Sequence, residues 1–278
     1  MGRVMVFGSL NVDLVTRVER HPSPGETLLG EGLDRLAGGK GANQAVAAAA
    51  AGAEVLMVGC VGDDSGGAAY VERLRRKGID VSRVRTVPGE PSGHALIAVD
   101  DRGENTIIVI PGANDALDHT EISAVDALGA GDVLLLQLEV PLTVVCAAAR
   151  RAAHLGARVV INTAPYAALP PDVVALADPV VANEHEMVAL AESGAEPASL
   201  LVTFGANGVT WDGETTPAHD VPPAEVADTT GAGDAFCGAL AAALATGADR
   251  AAALDSALAA GAAAVRHPGA QPDPRLGA

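Results

Sequence analysis

The segment 228–234, of sequence DTTGAGD, places small residues and a carboxylate directly before an apolar run, 235–244. The run predicts a helix, so the glycines fall at its N-terminus, where backbone N–H groups have no partner within the helix. Such a helix end binds anions. The carboxylate of Asp234 is suited to take a proton from a hydroxyl that attacks there. Phosphoryl transfer to an alcohol needs both features, an anion site and a base.

The tetrapeptide GAGD also occurs at 129–132. That copy leads into the run 133–136, which predicts a buried strand, and the start of a strand offers no cluster of free N–H groups. We therefore predict a loop at 129–132. By itself the tetrapeptide is also compatible with a tight turn in which Asp caps a helix. The preceding DTT and the following helix favour a functional site at 231–234.

Residues 38–44, of sequence GGKGANQ, form a second cluster in front of a predicted helix, 42–51. Glycines let the backbone approach a ligand closely. Lys40 supplies a point charge that suits phosphate, and the Asn43 amide can both donate to and accept from sugar hydroxyls. The alternative is a flexible glycine turn with a solvated lysine.

Three polar residues follow predicted strands at their carboxyl ends, where open α/β sheets bind ligands. Asn11 and Asp13 come after the strand 4–7, and Glu139 comes after the strand 133–136. A carboxylate so close to a buried strand needs a polar partner. Each residue could instead form a turn or carry a surface charge.

Short apolar strands alternate with helical patterns along most of the chain. The predicted strands are 4–7, 54–58, 133–136, 159–161, 180–182 and 200–203, and the helices between them are 42–51, 66–77, 142–155 and 184–192. This alternation predicts an α/β fold in one domain, 1–278, with a mainly parallel sheet and helices on both faces. Residues 11–37 and 79–110 lack helical period and could pair as a small β-sheet lid, at about 11–37 and 91–109.

Bulk composition limits the classes of function. The 278 residues are 49% hydrophobic and only 2% aromatic, with a net charge of −17. That charge argues against nucleic acid as a partner. We expect no membrane span, no signal peptide and no zinc or iron site. Three cysteines, distant from one another in apolar segments, indicate reduced core residues in the cytoplasm.

Two common nucleotide-binding motifs are missing. Lys40 is followed by Gly41 and not by Ser or Thr, so 38–44 is not a Walker A loop. The first strand ends in GSLN at 8–11, without the spaced glycines of a dinucleotide-binding fold. A dehydrogenase is therefore not expected.

The order of the short motifs resembles the PfkB family of carbohydrate kinases from Val4 to Pro272. The motifs are GSLNVD at 8–13, PGET at 24–27, GGKGANQ at 38–44, GEN at 103–105, PGAN at 111–114, QLE at 137–139, NEHE at 183–186, DTTGAGD at 228–234 and GAQP at 269–272. Those at 38–44 and 137–139 point more narrowly to the ribokinases of this family. The resemblance implies a ribokinase-like three-layer α/β/α fold with a β-sheet lid.

The resemblance also implies roles for individual residues. Asp234 would be the base that takes the proton from the sugar 5-hydroxyl, and the amides of Gly231, Ala232 and Gly233 would form the anion hole. The sugar would be held by Asn11, Asp13, Gly39, Lys40, Gly41, Asn43, Glu139 and Asp234. ATP would contact Asn183, Thr203, Phe204, Gly205, Ala206, Asn207, Gly208 and Gly233.

Two ions and a partner chain follow from the same resemblance. Glu186 would help to place Mg²⁺ through water. A monovalent activator, K⁺, would bind among Asp228, Thr230, Ala264, His267, Gly269 and Asp273. In this family the lid strands also pair two subunits, which implies a homodimer and would explain exposed sheet edges.

Some positions depart from the family pattern. Between Leu190 and Leu200 the chain is shorter than its relatives, so we expect an unusual connection, because a parallel crossover needs roughly a dozen residues. Thr163 stands where relatives have Pro, and Leu258 lies near where they place a polar residue against adenine. Asp273 replaces a Ser beside the cation site. We do not expect the last helix of the family after Pro272.

The expected activity is transfer of the γ-phosphoryl group of ATP to the 5-hydroxyl of D-ribose, giving ribose 5-phosphate. The alternatives are another PfkB kinase, acting on deoxyribose, a ketohexose or a nucleoside, or a non-catalytic sugar-binding protein of the same fold. A nucleoside would require aromatic residues to stack on its base, and Tyr166 and Trp211 lie away from the lid segments.

Overall fold

The computed structural model describes residues 2–276, so three residues of the predicted domain 1–278 lie outside the described part. The strands are β1 (Val4–Phe7), β2 (Asn11–Arg17), β3 (Glu31–Gly38), β4 (Val55–Gly62), β5 (Asp80–Val87), β6 (Gly93–Val99), β7 (Asn105–Ile110), β8 (Val133–Leu136), β9 (Arg158–Asn162), β10 (Ala177–Asn183), β11 (Leu200–Thr203), β12 (Val209–Trp211) and β13 (Glu214–Thr216). The helices are α1 (Lys40–Ala50), α2 (Ser65–Arg76), α3 (His119–Ile122), α4 (Leu142–His154), α5 (Pro171–Val174), α6 (Glu184–Glu192), α7 (Ala232–Ala245) and α8 (Arg250–Ala264). None of the helices within 2–276 is both long and apolar enough to span a lipid bilayer.

Nine strands form one sheet, in the order β13-β12-β11-β10-β9-β8-β1-β4-β5. Neighbours from β11 to β5 are parallel, whereas β12 and β13 add an antiparallel edge. A second, four-stranded sheet has the order β3-β2-β6-β7. The predicted α/β class, with a mainly parallel sheet and a small separate sheet, is confirmed.

The central strand β1 shows why helices cover both faces of the large sheet. Val4 and Val6 belong to a core that also contains residues of α1, α7 and α8, whereas Met5 and Phe7 belong to a second core with residues of α4. Alternate side chains of a strand point to opposite faces, and all four are fully buried. Each buried side chain of this size contributes about 1.5–3 kcal/mol to stability, so the sheet is held between two helical layers.

The two helices that carry the main motifs, α1 and α7, pack almost backbone to backbone. A Cβ atom added to Gly238 of α7 would lie 2.4 Å from the carbonyl oxygen of Gln44 in α1. Any side chain at position 238 would separate the helices. Because Gly238 has no side chain, the start of α1 can lie close to the start of α7.

Two expectations from the sequence are wrong. Residues 80–87 do not join the small sheet; they form β5, parallel to β4, because the helix α2 returns the chain to the edge of the large sheet. The connection between β10 and β11 is an ordinary crossover, since α6 and the turn after it span 184–199. The strands β12 and β13 and the helix α8 were not predicted.

Candidate active site

A cavity of about 140 Å³ lies where α1, α6 and α7 meet the carboxyl ends of the central strands. It is lined by Lys40, Asn162, Ala164, Val181, Ala182, Asn183, Glu186, Thr203, Gly231, Gly233, Asp234 and Cys237. Residues predicted for the base, the anion hole, the sugar, the nucleotide and Mg²⁺ therefore surround one space. The parallel strands account for this convergence, because their carboxyl ends share one edge of the sheet.

The N-terminal end of α7 opens onto this cavity without a side-chain cap. Gly231, the residue before the helix, has φ of 77°, and a Cβ there would lie 2.5 Å from the Cα of Ala270. By contrast, α2, α6 and α8 are capped by the side chains of Asp64, Asn183 and Asp249. Of the predicted anion-hole amides, that of Ala232 makes a long bond to the Thr229 carbonyl, 3.3 Å. The uncapped end is therefore suited to an anion.

Asp234 lies in the first turn of α7 and is buried. The Asn43 amide donates to its Oδ2 atom at 2.9 Å, and the Gln44 amide donates to its Oδ1 atom at 2.9 Å. Both donors are adjacent residues of α1. The two bonds hold the carboxylate plane at the cavity wall, beside the uncapped helix end.

Lys40 begins α1 and lies mostly buried among carboxylates. Burial alone would lower the pKa of its ammonium group, but the charges of Asp234, Glu139 and Glu186 outweigh this effect and hold the pKa above its usual value. Lys40 therefore stays protonated at neutral pH. It provides a fixed positive charge within the cavity that Asp234 also lines.

Most of the predicted sugar-binding residues lie in β2, around the start of α1 or just after β8. Glu139 accepts hydrogen bonds from the Ser9 hydroxyl at 2.5 Å and from the Lys40 amide at 2.9 Å. The Asn114 amide donates to Asn11 Oδ1 at 2.7 Å, which fixes the orientation of the Asn11 side chain and leaves its own amide hydrogens for a ligand. Gly39 and Gly41 flank Lys40, and the Gly41 amide donates to Ser9 Oγ at 3.2 Å.

Asp13 carries an unsatisfied oxygen in this region. Its Oδ1 atom is buried and has no hydrogen-bond partner among the described residues. Burial, together with the negative charge of Glu139, raises the pKa of Asp13 from 3.8 to about 7. A buried acceptor without a partner is costly. It fits a position where a ligand hydroxyl donates.

We expect the raised pKa of Asp13 to make the stability of the protein depend on pH. The folded protein holds this proton up to about pH 7, whereas the unfolded chain releases it near the ordinary value of 3.8. The free energy of unfolding of the wild type therefore falls as the pH rises towards 7. An Asp13→Asn variant has no carboxyl group at this position and lacks this pH dependence. Between pH 5 and pH 8 we expect the free energy of unfolding of the variant to gain roughly 2–3 kcal/mol relative to the wild type. Urea denaturation at both pH values measures it, and parallel pH profiles for the two proteins would refute the assignment.

On the nucleotide side, Asn183 and Glu186 hold each other in a capping box at the start of α6. The Glu186 amide donates to Asn183 Oδ1 at 2.9 Å, and the Asn183 amide donates to Glu186 Oε2 at 3.0 Å. The Thr163 hydroxyl adds a bond to the same Oε2 atom at 3.4 Å, so this departure from the family pattern supports Glu186. The motif thus has a structural role, and Glu186 also lines the cavity as a carboxylate that suits Mg²⁺ and its waters.

The predicted nucleotide turn follows β11. Thr203 ends the strand, and the chain reverses through a single 3₁₀ turn, 205–207, in which the Phe204 amide donates to the Gly208 carbonyl at 2.8 Å. Ala206 and Asn207 are exposed in this turn. Leu258 is buried in the core that contains residues of α7 and α8.

The predicted cation site is organised by Asp228. Its Oδ1 atom accepts from the Thr230 amide and its Oδ2 atom accepts from the Gly269 amide, both at 2.8 Å. These bonds join the segment before α7 to the segment after α8, which also contains His267, whereas Ala264 is the last residue of α8. Asp273 is exposed, and its charge acts on Arg73 of α2.

The duplicate tetrapeptide 129–132 lies in a turn before β8, as predicted. Its Asp132 side chain accepts hydrogen bonds from the backbone amides of Arg3 and Gly129, at 2.9 Å each. The two copies of GAGD thus differ in surroundings, and only the copy at 231–234 contributes residues to the cavity.

Sequence reasoning missed five polar residues that contact the predicted site: Ser9, Gln44, Asn114, Asn162 and Gln271. Four of them lie inside the motifs that carried the resemblance, so membership of a motif was the available signal. Asn162 ends β9, and the carboxyl ends of strands were already the expected place for functional residues.

Comparison with known proteins extends over nearly the whole chain. The pfkB family carbohydrate kinase model matches residues 1–275. The ribokinase of Bacillus subtilis is 37% identical over 264 residues, which cover 91% of this chain and 89% of that protein. The deoxyribokinase of Salmonella typhi is 35% identical over 260 residues, with coverage of 86% and 84%.

A solved structure agrees with these matches. The ribokinase of Arabidopsis thaliana, complexed with ribose and ATP, has a TM-score of 0.85 and 31% sequence identity, covering 97% of this chain and 95% of that chain. The resemblance inferred from the motifs is confirmed. The chain belongs to the PfkB family of carbohydrate kinases.

Proposed function

We propose that this protein transfers the γ-phosphoryl group of ATP to the 5-hydroxyl of D-ribose, giving ribose 5-phosphate and ADP. One observation carries the proposal: Asp234, Lys40 and the uncapped end of α7 line one cavity. The relatives named ribokinase, at moderate identity over most of the chain, support ribose as the substrate.

In the proposed reaction Asp234 accepts the proton of the sugar 5-hydroxyl. The hydroxyl oxygen forms a bond to the γ-phosphorus as the bond to the bridging oxygen of ADP breaks, and ADP leaves with that electron pair. Lys40 and the amides at the start of α7 stabilise the charge on the transferred group. Asn11, Asp13, Asn43 and Glu139 hold the sugar so that its hydroxyl is aligned with the phosphorus.

The nucleotide would lie between the turn at 204–208 and the start of α6. Asn183 and Thr203 line the cavity from this side, and Glu186 would hold Mg²⁺ through water. When bound with ATP, Mg²⁺ would neutralise part of the phosphate charge. The three cysteines are buried and free, which agrees with the proposal of a cytoplasmic enzyme.

Deoxyribose is the second candidate substrate, favoured by the 35% identity to a deoxyribokinase. A coupled ADP-release assay with ATP, Mg²⁺ and K⁺ on D-ribose, 2-deoxyribose, fructose and adenosine distinguishes the candidates. We expect the highest kcat/KM with D-ribose. A higher value with deoxyribose would keep the chemistry and change the substrate. Sugar binding without turnover on the whole panel would favour a non-catalytic protein.

We expect potassium to activate the enzyme through Asp228. Replacing KCl with tetramethylammonium chloride at constant ionic strength should lower kcat several-fold, because the large organic ion cannot take the place of K⁺ between the two segments that Asp228 joins. The Asp228→Asn variant, which keeps an acceptor oxygen but loses the charge, should respond much less to the exchange. Equal rates of the wild type in both salts would exclude the site.

We propose that the small sheet is a lid over the sugar and pairs two subunits. The edge strand β7 is exposed along its length, and Ile107, Ile108, Val109 and Ile110 are 42–58% exposed. Apolar edge strands of this kind pair with another chain. In sedimentation equilibrium, Ile108→Lys should convert a dimer to a monomer, whereas Val188→Lys, at a similarly exposed position of α6, should not. A wild-type monomer would refute the pairing.

A further inference from the structure

Four side-chain amides form two short chains that end on Asp234. Asn43 and Gln44 each donate to one carboxylate oxygen. Behind them, the Gln271 amide donates to Asn43 Oδ1 at 2.8 Å, and the Gln137 amide donates to Gln44 Oε1 at 2.6 Å. Each amide that touches Asp234 is thus held at its other end by a second amide.

We propose that Gln137 and Gln271 are positioning residues, which force Asn43 and Gln44 to present N–H groups to Asp234 and so fix the orientation of the base. The proposal rests on the proposed role of Asp234 in proton transfer. Gln137 and Gln271 make no bond to Asp234 themselves, and they act through the amides between.

The direction of each chain is set by its chemistry. An amide has donors at one end and an acceptor at the other, so a rotated Gln44 would place its carbonyl oxygen against the carboxylate of Asp234. The Gln137 amide opposes this rotation because it needs an acceptor at Gln44 Oε1, and Asn162 Oδ1, which accepts from Gln44 Nε2 at 3.1 Å, favours the same orientation. Gln271 acts in the same way on Asn43, and its own oxygen accepts from the Arg73 guanidinium at 3.2–3.3 Å. Arg73 therefore fixes the direction of the second chain.

Gln137 carries a buried polar atom without a partner, which is unfavourable for stability. Its side chain is fully buried, and its Oε1 atom has no hydrogen-bond partner within residues 2–276. An apolar side chain would avoid this desolvated oxygen. The buried oxygen is accounted for when the Nε2 group of Gln137 is required at Gln44.

Other charged or titratable groups act on Asp234 only through space. Lys40 of α1 attracts it, and Cys237 of α7 is a buried neutral thiol beside both. Glu186 of α6 lies at the same cavity. Among the described residues, Asn43 and Gln44 donate the hydrogen bonds to the Asp234 carboxylate oxygens, and these three residues donate none. The orientation of the Asp234 carboxylate is therefore fixed by the amides of Asn43 and Gln44.

The test compares Gln137→Glu with Gln137→Met in the full-length enzyme, using initial rates of ADP release at saturating ribose and ATP from pH 5.5 to 9. A carboxylate at 137 only accepts, so Gln44 should turn its N–H groups away from Asp234. We expect kcat to fall at least 10-fold at pH 8, with KM for ATP changed less than threefold. As the pH falls and the new carboxyl is protonated, it can donate again, and the ratio of variant to wild-type kcat should rise.

Gln137→Met removes the donor without adding an acceptor, and its loss of kcat should be at least fivefold smaller. A second variant, Gln271→Glu, retains an acceptor for Arg73 and so protects the fold, and it should lower kcat without the loss of thermal stability that a packing defect causes. The proposal is overturned if the loss of kcat is proportional to the loss of Tm in all variants. It is also overturned if the ratio of Gln137→Glu kcat to wild-type kcat does not change with pH.

Asp234→Asn serves as the reference in the same assay. If this variant keeps full activity, the role of Asp234 as base is wrong, and the inference about Gln137 and Gln271 falls with it. If Asp234→Asn is inactive while Gln137→Glu and Gln271→Glu match the wild type, only the inference fails.

Discussion

Replacing Asp234 with Asn should lower kcat at least about 100-fold, the range for loss of a general base. The substitution keeps the size of the side chain but removes the carboxylate proposed to accept the sugar proton. Asp234 is not among the residues predicted to contact ATP, so the Kd for ATP should change less than threefold. Steady-state ADP release gives kcat, and equilibrium titration of a nucleotide analogue gives the affinity.

The chain contains a matched control for this experiment. Asp132 ends the other GAGD copy, lies in a turn that does not line the cavity, accepts hydrogen bonds from two backbone amides and pairs with the Arg3 guanidinium at 3.9 Å. Asp132→Asn retains an acceptor oxygen and should leave kcat unchanged. Activity of Asp234→Asn within tenfold of the wild type would show that the 5-hydroxyl loses its proton elsewhere.

Replacing Lys40 with Met should lower kcat about 10²- to 10³-fold, as when one group that stabilises developing charge is removed. Lys40 is the cation that faces Asp234, Glu139 and Glu186, and its raised pKa keeps it charged across the working range of pH. Without it, negative phosphate would meet uncompensated carboxylates. Both kcat and KM for ATP should therefore deteriorate, and the loss should be the same from pH 6 to pH 9.

Lys77 is the only other lysine of the chain and provides the comparison. It is exposed at the end of α2, so Lys77→Met removes the same charge far from the cavity and should leave both constants unchanged. Lys40→Arg keeps the charge in a larger, planar group and should recover only part of the rate. Full activity of Lys40→Met would remove this residue from the phosphate site.

The Asp228, Ile108 and Asp13 experiments probe the cation segment, the edge of the small sheet and the sugar pocket. These regions are connected, because Asp13 and Ile108 lie in the same small sheet and the segment after α8 bonds to β3 of that sheet. None of the three residues is proposed as the base or as the cation that binds phosphate. A failure in one therefore leaves the phosphoryl-transfer assignment intact.

Local features of the fold followed from the sequence because they depend on short-range chemistry. The apolar run after 228–234 predicted the helix α7, and the strand pattern after 129–132 correctly placed that copy of the tetrapeptide in a turn. A helix was also correctly predicted at the motif 38–44, although α1 begins at Lys40, inside the motif. Residues 80–87 were assigned to the wrong sheet, since alternation identifies a strand but not the strand with which it pairs.

By itself the sequence determined which family the chain resembles and which residues are candidates for the chemistry, because both are expressed as residue types at fixed spacing. Only the tertiary structure decided how they meet. Lys40 and Asp234 lie far apart in the chain, and they share a cavity because α1 and α7 touch at Gly238. The amides that orient Asp234 come from α1, from the end of β8 and from the segment after α8. Such contacts depend on strand order and helix packing, which no local pattern specifies.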